Sequence, residues 1–117
     1  MKENIVKNKS FEFAQDIIGL YKLLQEDKEY IMSKQVLRSG TAIGAMVRES
    51  EHAESPKDFI HKLSVALKEA NETDYWLELL YKGGYMRDKD YKNFESKTKE
   101  LIKLLVSIIK TSKLRMK

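Results

Sequence analysis

Cysteine is absent from the sequence, which leaves no disulfide framework, thiolate zinc site or cysteine nucleophile to propose. Proline occurs once and glycine five times. Few β-branched runs appear, and this shortage of turn and strand formers favours helices over a sheet. No apolar run approaches the ~20 residues that span a bilayer. The opening MKENIVKNKSFEF lacks the apolar stretch of a signal peptide, so a cytoplasmic protein without membrane contact is expected. Also missing are a Gly-rich phosphate loop, a Ser/His/Asp arrangement and a dinucleotide fingerprint. Gly83–Gly84 ends a helix and does not open one after a strand. No catalysis and no cofactor are expected.

What is present is helical periodicity. With 117 residues, 42% hydrophobic and 34% charged, the chain suits one domain able to bury a core. The clearest stretch runs from Ser55 to Tyr81. Ser55 is placed to cap a helix, Pro56 fits its first position, and Asp58 stands three residues after the cap. Behind them Phe59, Leu63, Ala66, Ala70, Thr73, Leu77 and Leu80 recur at alternating spacings of four and three. That period keeps one seam facing a partner helix.

Three further helices follow from the same logic. The first is expected over about 10–25, with Ser10 as its cap and a seam of Ala14, Ile17, Tyr21 and Leu24. The second is expected over about 28–51, with Asp27 as its cap and a seam of Val36, Gly40, Ile43 and Val47. Gly40 and Gly44 each cost a helix interior ~1 kcal/mol relative to Ala, and close approach of a neighbouring helix is the usual reason for such a pair. The third spans 55–82. The fourth spans 88–111, capped by Asp88, with a seam of Tyr91, Phe94, Thr98, Leu101, Leu105 and Ile108. Residues 1–9 and 112–117 read as loose basic tails. Short breaks between helices make neighbours antiparallel, so the expected fold is all-α, an up-down-up-down four-helix bundle. Nothing marks an internal repeat or a second domain.

Charge is unevenly spread. Of the net +4, residues 1–9 carry +2 and residues 110–117 carry +4, on a slightly acidic body. The expected topology brings both ends to one pole of the bundle, beside the link between the second and third helices. Lys2, Lys7, Lys9, Lys110, Lys113, Arg115 and Lys117 are therefore candidate phosphate contacts, salt-dependent and blind to sequence. Solvated termini are the bland reading of the same residues. Arg38 and Arg48 lie about three turns apart and serve either phosphate or the carboxylates Glu69 and Glu72. Glu69 and Glu72 fit an inter-helix or inter-subunit ion-pair network better than acid–base chemistry. Trp76 is the candidate anchor of a subunit contact. Glu49-x-x-His52 and Asp58-x-x-His61 echo di-iron bundles, but both crowd a helix break and the facing end of the fourth helix offers Lys110, so no metal is expected.

Residues 38–80 resemble a known family. Ser39, Gly40, Ile43, Gly44, Ala45 and Val47, then Glu49, Ser55 and Phe59, carry the likeness; Glu69, Glu72, Thr73 and Leu77, and finally Gly84–Tyr85, extend it. This pattern is similar to the four-helix bundle proteins named after the 23S rRNA intervening sequence in which some are encoded. Val47–Arg48 departs from the Ile-Ala of many relatives, and the first turn lacks their Phe-Pro. The resemblance implies a homo-oligomer, a pentameric ring, associated with RNA or DNA or with a nucleic-acid-processing partner such as the reverse transcriptase of a diversity-generating element. A scaffold that binds only protein is the alternative.

Overall fold

The computed structural model describes all 117 residues. Four helices account for nearly the whole chain: α1 (Lys2–Glu26), α2 (Met32–Ser50), α3 (Pro56–Lys82) and α4 (Asp88–Arg115). They form a rod of 49 × 22 × 19 Å in which each helix packs against its two neighbours. Side-chain pairs fix the directions. Lys9 meets Glu100 while Asp16 meets Lys97, and Arg38 meets Glu69 while Glu49 meets Lys62, so both pairs of helices run antiparallel. The packing is closest between α2 and α3 and loosest between α1 and α4.

The core follows the expected seams on α2, α3 and α4. Val36, Gly40, Ile43 and Val47 are buried, as are Leu63, Ala66, Ala70, Thr73, Leu77 and Leu80. Thr98, Leu101, Leu105 and Ile108 complete the stripe on α4, with Ile109 beside it. On α3 the Ser55 hydroxyl accepts from the Asp58 N–H (3.1 Å) and the Asp58 carboxylate accepts from the Glu54 N–H (3.1 Å). Two free donors at this helix entry are thus satisfied at once. The exit is a Schellman turn. Gly84 takes φ +86°, the Tyr85 N–H reaches the Leu80 carbonyl and the Gly84 N–H reaches that of Tyr81.

The two ends depart from the sequence expectation. Residues 1–9 are not a loose tail: α1 begins at Lys2, and Val6 is buried against the core. Ser10 therefore lies inside α1, buried, its hydroxyl donating to the Lys7 carbonyl at 3.1 Å; it caps nothing. The α1 seam is Val6, Ser10, Phe13, Ile17, Leu20 and Leu24, with Ala14 and Tyr21 on its flank. Spacings of three and four admit two adjacent stripes, and Ile17 and Leu24 belong to both. Likewise α4 continues to Arg115, so most of the expected tail at 112–117 is helical.

Two caps also move. Asp27 ends α1 and does not start α2, because Lys28 turns the chain through a positive φ of 63°. The α2 entry is built instead by the buried Glu29, whose carboxylate accepts from the Ser33 N–H (2.7 Å) while its carbonyl accepts the Ser33 hydroxyl (2.6 Å). Asp88 is the first residue inside α4, following Arg87, and its carboxylate accepts from the Tyr81 hydroxyl at 2.6 Å.

Candidate nucleic-acid interface

The candidate cations divide by what surrounds them. On α2, Arg38 Nη1 lies 3.1 Å from one Glu69 oxygen and 3.2 Å from the other, while Nη2 bonds the Glu72 carboxylate. The same Glu72 carboxylate accepts from the Trp76 indole N–H at 3.0 Å. The indole bond, followed by the Arg38 bond, holds the Glu72 carboxyl below its ordinary range; Glu72 in turn raises the Arg38 pKa. Arg38 is thereby committed to the α2–α3 seam. Trp76 is half-buried in this cluster, with Tyr75 edge-on at 5.1 Å and more exposed. Arg48 lies elsewhere, its guanidinium 5.6 Å from the centre of the Phe11 ring, and the two arginines do not form one site.

Three cations near the N-terminus are also engaged. Lys7 pairs with Glu51 (3.1 Å), Lys9 with Glu100 (3.2 Å), and Lys2 donates to the Ser107 hydroxyl. These contacts tie α1 to α2 and α4 at the pole where both chain ends meet. Exposed pairs of this kind contribute ~0–1 kcal/mol each, so they orient α1 more than they stabilise it. At the other terminus Lys110, Lys113, Arg115 and Lys117 are exposed and take part in no ion pair.

The small residues serve packing. A Cβ on Gly40 would sit 2.8 Å from Ile17 Cγ1, so α1 drives a branched side chain into the bare backbone of α2. At Gly44 the nearest atom to such a Cβ is the Ser10 carbonyl oxygen, 3.3 Å away, again on α1. Glu49, His52, Asp58 and His61 are not gathered into a site. Glu49 pairs with Lys62, Asp58 serves the α3 cap, and no three His, Asp or Glu side chains converge as metal ligands.

The outer face of α4 carries a feature that the run-by-run count of charges passes over. Lys92, Lys99, Lys103, Lys110 and Lys113 follow one another at 7, 4, 7 and 3 residues. At 3.6 residues per turn these positions share one face, spread over roughly 30 Å and opposite the core residue Leu101. All five are exposed and none has a carboxylate partner. Lys99, Lys103 and Ser107 line an open groove on this face together with Ser96, Glu100 and Leu104. The signal was available in the sequence as a helical period in the charges. It goes unseen when basic residues are counted by run.

No helix is long and apolar enough to cross a membrane. No curated protein matches the chain. Among solved structures it is similar to a protein of unknown function from the S23 ribosomal protein family of Bacteroides thetaiotaomicron. That likeness has 58% identity and a TM-score of 0.92, covering 94% of this chain and 99% of the other. The profile of the family described as 23S rRNA-intervening sequence protein matches residues 2–107, nearly the whole bundle, and the chain belongs to that family.

Proposed function

We propose that this protein is a non-enzymatic, homo-oligomeric bundle that associates with RNA or DNA, or with a nucleic-acid-processing partner such as a reverse transcriptase, through the lysine face of α4. The observation that carries this reading is Lys99 and Lys103. Cations in the last turn of a helix are favoured by its dipole, which accounts for Lys113 and Arg115 without any ligand. Lys99 and Lys103 stand mid-helix, one turn apart, and neither is in an ion pair: Glu95, four residues before Lys99, accepts from the Tyr91 hydroxyl, and Glu100, three before Lys103, pairs with Lys9. Like charges at that spacing cost a helix ~0.2–0.5 kcal/mol, so the pair is not explained by its mutual contact. A row of phosphates explains it, because each neutralised phosphate releases counterions. Lys2, Lys110, Lys113, Arg115 and Lys117 extend the basic surface towards the pole; Arg48 lies apart, over Phe11, and Lys7, Lys9 and Arg38 contribute less, being held by carboxylates.

Self-association in this reading uses the outer α2–α3 face, where Tyr75 and Leu79 lie exposed beside Trp76. Five copies, the number the family resemblance implies, would repeat the lysine row and multiply a weak single contact. The test is light scattering for mass, then fluorescence anisotropy with a labelled single-stranded RNA. Wild type is compared with a chain carrying Lys99→Gln, Lys103→Gln, Lys110→Gln and Lys113→Gln. Binding by wild type that falls by about tenfold or more in the variant supports the reading. Failure of wild type to bind at low salt leaves a scaffold that binds only protein.

A further inference from the structure

A second surface has a different character. Where α1 ends and α4 begins, the two helices leave a groove of about 740 Å³, with Leu20, Leu23 and Phe94 around the backbone of Gly19. Its rim carries Glu26, Asp27 and Asp90, none of them in an ion pair, against the single cation Arg87. Asp16, the remaining acid, is neutralised by Lys97. Elsewhere in the bundle a mid-helix glycine marks a close helix crossing: a Cβ on Gly40 would strike Ile17, and one on Gly44 would press the Ser10 carbonyl. Gly19 carries the same cost in helix propensity, yet a Cβ there would meet nothing within 4 Å. Leu23, one turn on, is 59% exposed. The last turn of α1 holds no basic residue, and Glu26 and Asp27 stand at the negative end of the helix dipole, where acids are unfavourable. No contact inside the chain offsets any of these.

We infer that this groove receives a basic amphipathic helix of a different protein. Asp16, Gly19, Leu23 and Asp27 follow one another at three, four and four residues, so they form one stripe of α1, roughly 16 Å or three turns long. A helix laid along that stripe brings an apolar side chain onto the bare backbone at Gly19 and covers Leu23, as Ile17 does at Gly40. An added strand is excluded, because the backbone groups of α1 are spent within the helix. The charge of the occupant follows from the rim. Lys or Arg beside its apolar stripe would meet Glu26, Asp27 and Asp90 and relieve the acids at the end of the α1 dipole. The chain has no free helix of its own to offer, since α1 to α4 all turn their apolar stripes into the core and the links at 27–31, 51–55 and 83–87 are short. The proposal turns on this groove and stands whether or not the lysine face of α4 meets nucleic acid.

The probe is a fluorescein-labelled peptide of about four helical turns, built from Leu and Lys so that one face is apolar and the other basic. It is titrated with the full chain at ~150 mM salt, which screens diffuse attraction, and with no RNA present. The chain as a whole carries +4, so a cationic peptide is held only where acids gather. Saturable binding is expected, and a version with Glu in place of every Lys should not bind. Gly19→Leu fills the seat without crowding any atom of the subunit and favours the helix, so its circular dichroism stays native and its melting point does not fall. Its affinity for the peptide should drop by about tenfold or more. Asp27→Asn with Asp90→Asn should weaken binding by roughly threefold, as loss of two rim charges does. No binding up to ~1 mM chain overturns the proposal. So does equal affinity of wild type and Gly19→Leu, or of the Lys and Glu peptides. An anisotropy that rises and then falls as chain is added overturns it too, because a second copy would then be competing for the seat.

Discussion

Arg38 and Lys103 are both exposed cations on helices of the same bundle, and they have opposite fates. Arg38 is surrounded: two carboxylates grip its guanidinium, and an indole N–H steadies one of them. Lys103 faces outward with no partner. Gly40 and Gly19 repeat the contrast in packing terms. The first is filled by Ile17; the second opens on empty space. Features that the fold consumes explain the fold. Features that it leaves over are where a partner is to be sought.

The sharpest way to break this comparison is at the glycines. Gly40→Ala must push a buried, β-branched Ile17, and it should destabilise by about 1–2 kcal/mol after the gain in helix propensity. Gly19→Ala meets nothing and should stabilise by up to ~1 kcal/mol. Urea denaturation of the two variants checks both signs. Equal signs would mean that Gly40 is no more committed to packing than Gly19.

At the cations the effects are smaller. Arg38→Ala should cost up to about 1 kcal/mol, since its pairs are half-exposed, and should leave RNA affinity within about twofold. Neutralising Lys99, Lys103, Lys110 and Lys113 should leave stability within about 0.5 kcal/mol, because the loss of two repulsive pairs, 99/103 and 110/113, is offset by the loss of Lys113 at the helix C-terminus. Thermal melts of the two variants decide this, and a destabilised lysine variant would show that the row serves the fold.

The smallest effect is in acid. The Glu72 carboxyl is held below its ordinary value by Trp76 and then by Arg38. A depressed folded-state pKa gives stability that is present above the ordinary carboxylate value and lost as pH falls through the depressed one. Glu72→Gln should therefore flatten the acid limb of the stability curve, followed through the single tryptophan. The difference is small because the group is partly solvated.

Much of the bundle was legible because its seams obey one period. Phe59 to Leu80 announced a helix, and Ser55, Pro56 and Asp58 announced its start. The ends were not legible, for physical reasons. Residues 1–9 look polar, yet Val6 reaches the core and the lysines around it find partners on α2 and α4. Ser10 has the chemistry of a cap and is used as a small buried residue beneath Gly44. The α2 entry depends on Glu29, whose buried carboxylate no local rule singles out. As for the site, pairing of Arg38 with Glu69 and Glu72 was one of two readings of those residues, and Arg48, read with it, lies over Phe11 instead. The lysine row was missed although Lys92, Lys99, Lys103 and Lys110 fall inside the expected helix, because counting basic residues by run hides a face that shows only as a helical period in the charges.

The direct test of the central claim is the salt dependence of RNA binding by wild type and by the variant lacking Lys99, Lys103, Lys110 and Lys113. Anisotropy titrations between ~50 and ~200 mM salt give the slope of log K against log salt, which is about −0.7 per phosphate contact for a single strand. The slope should become shallower by roughly 2–3 in the variant, the share of four lost contacts. Two parallel lines would contradict the account, because they would place any phosphate contacts away from the outer face of α4.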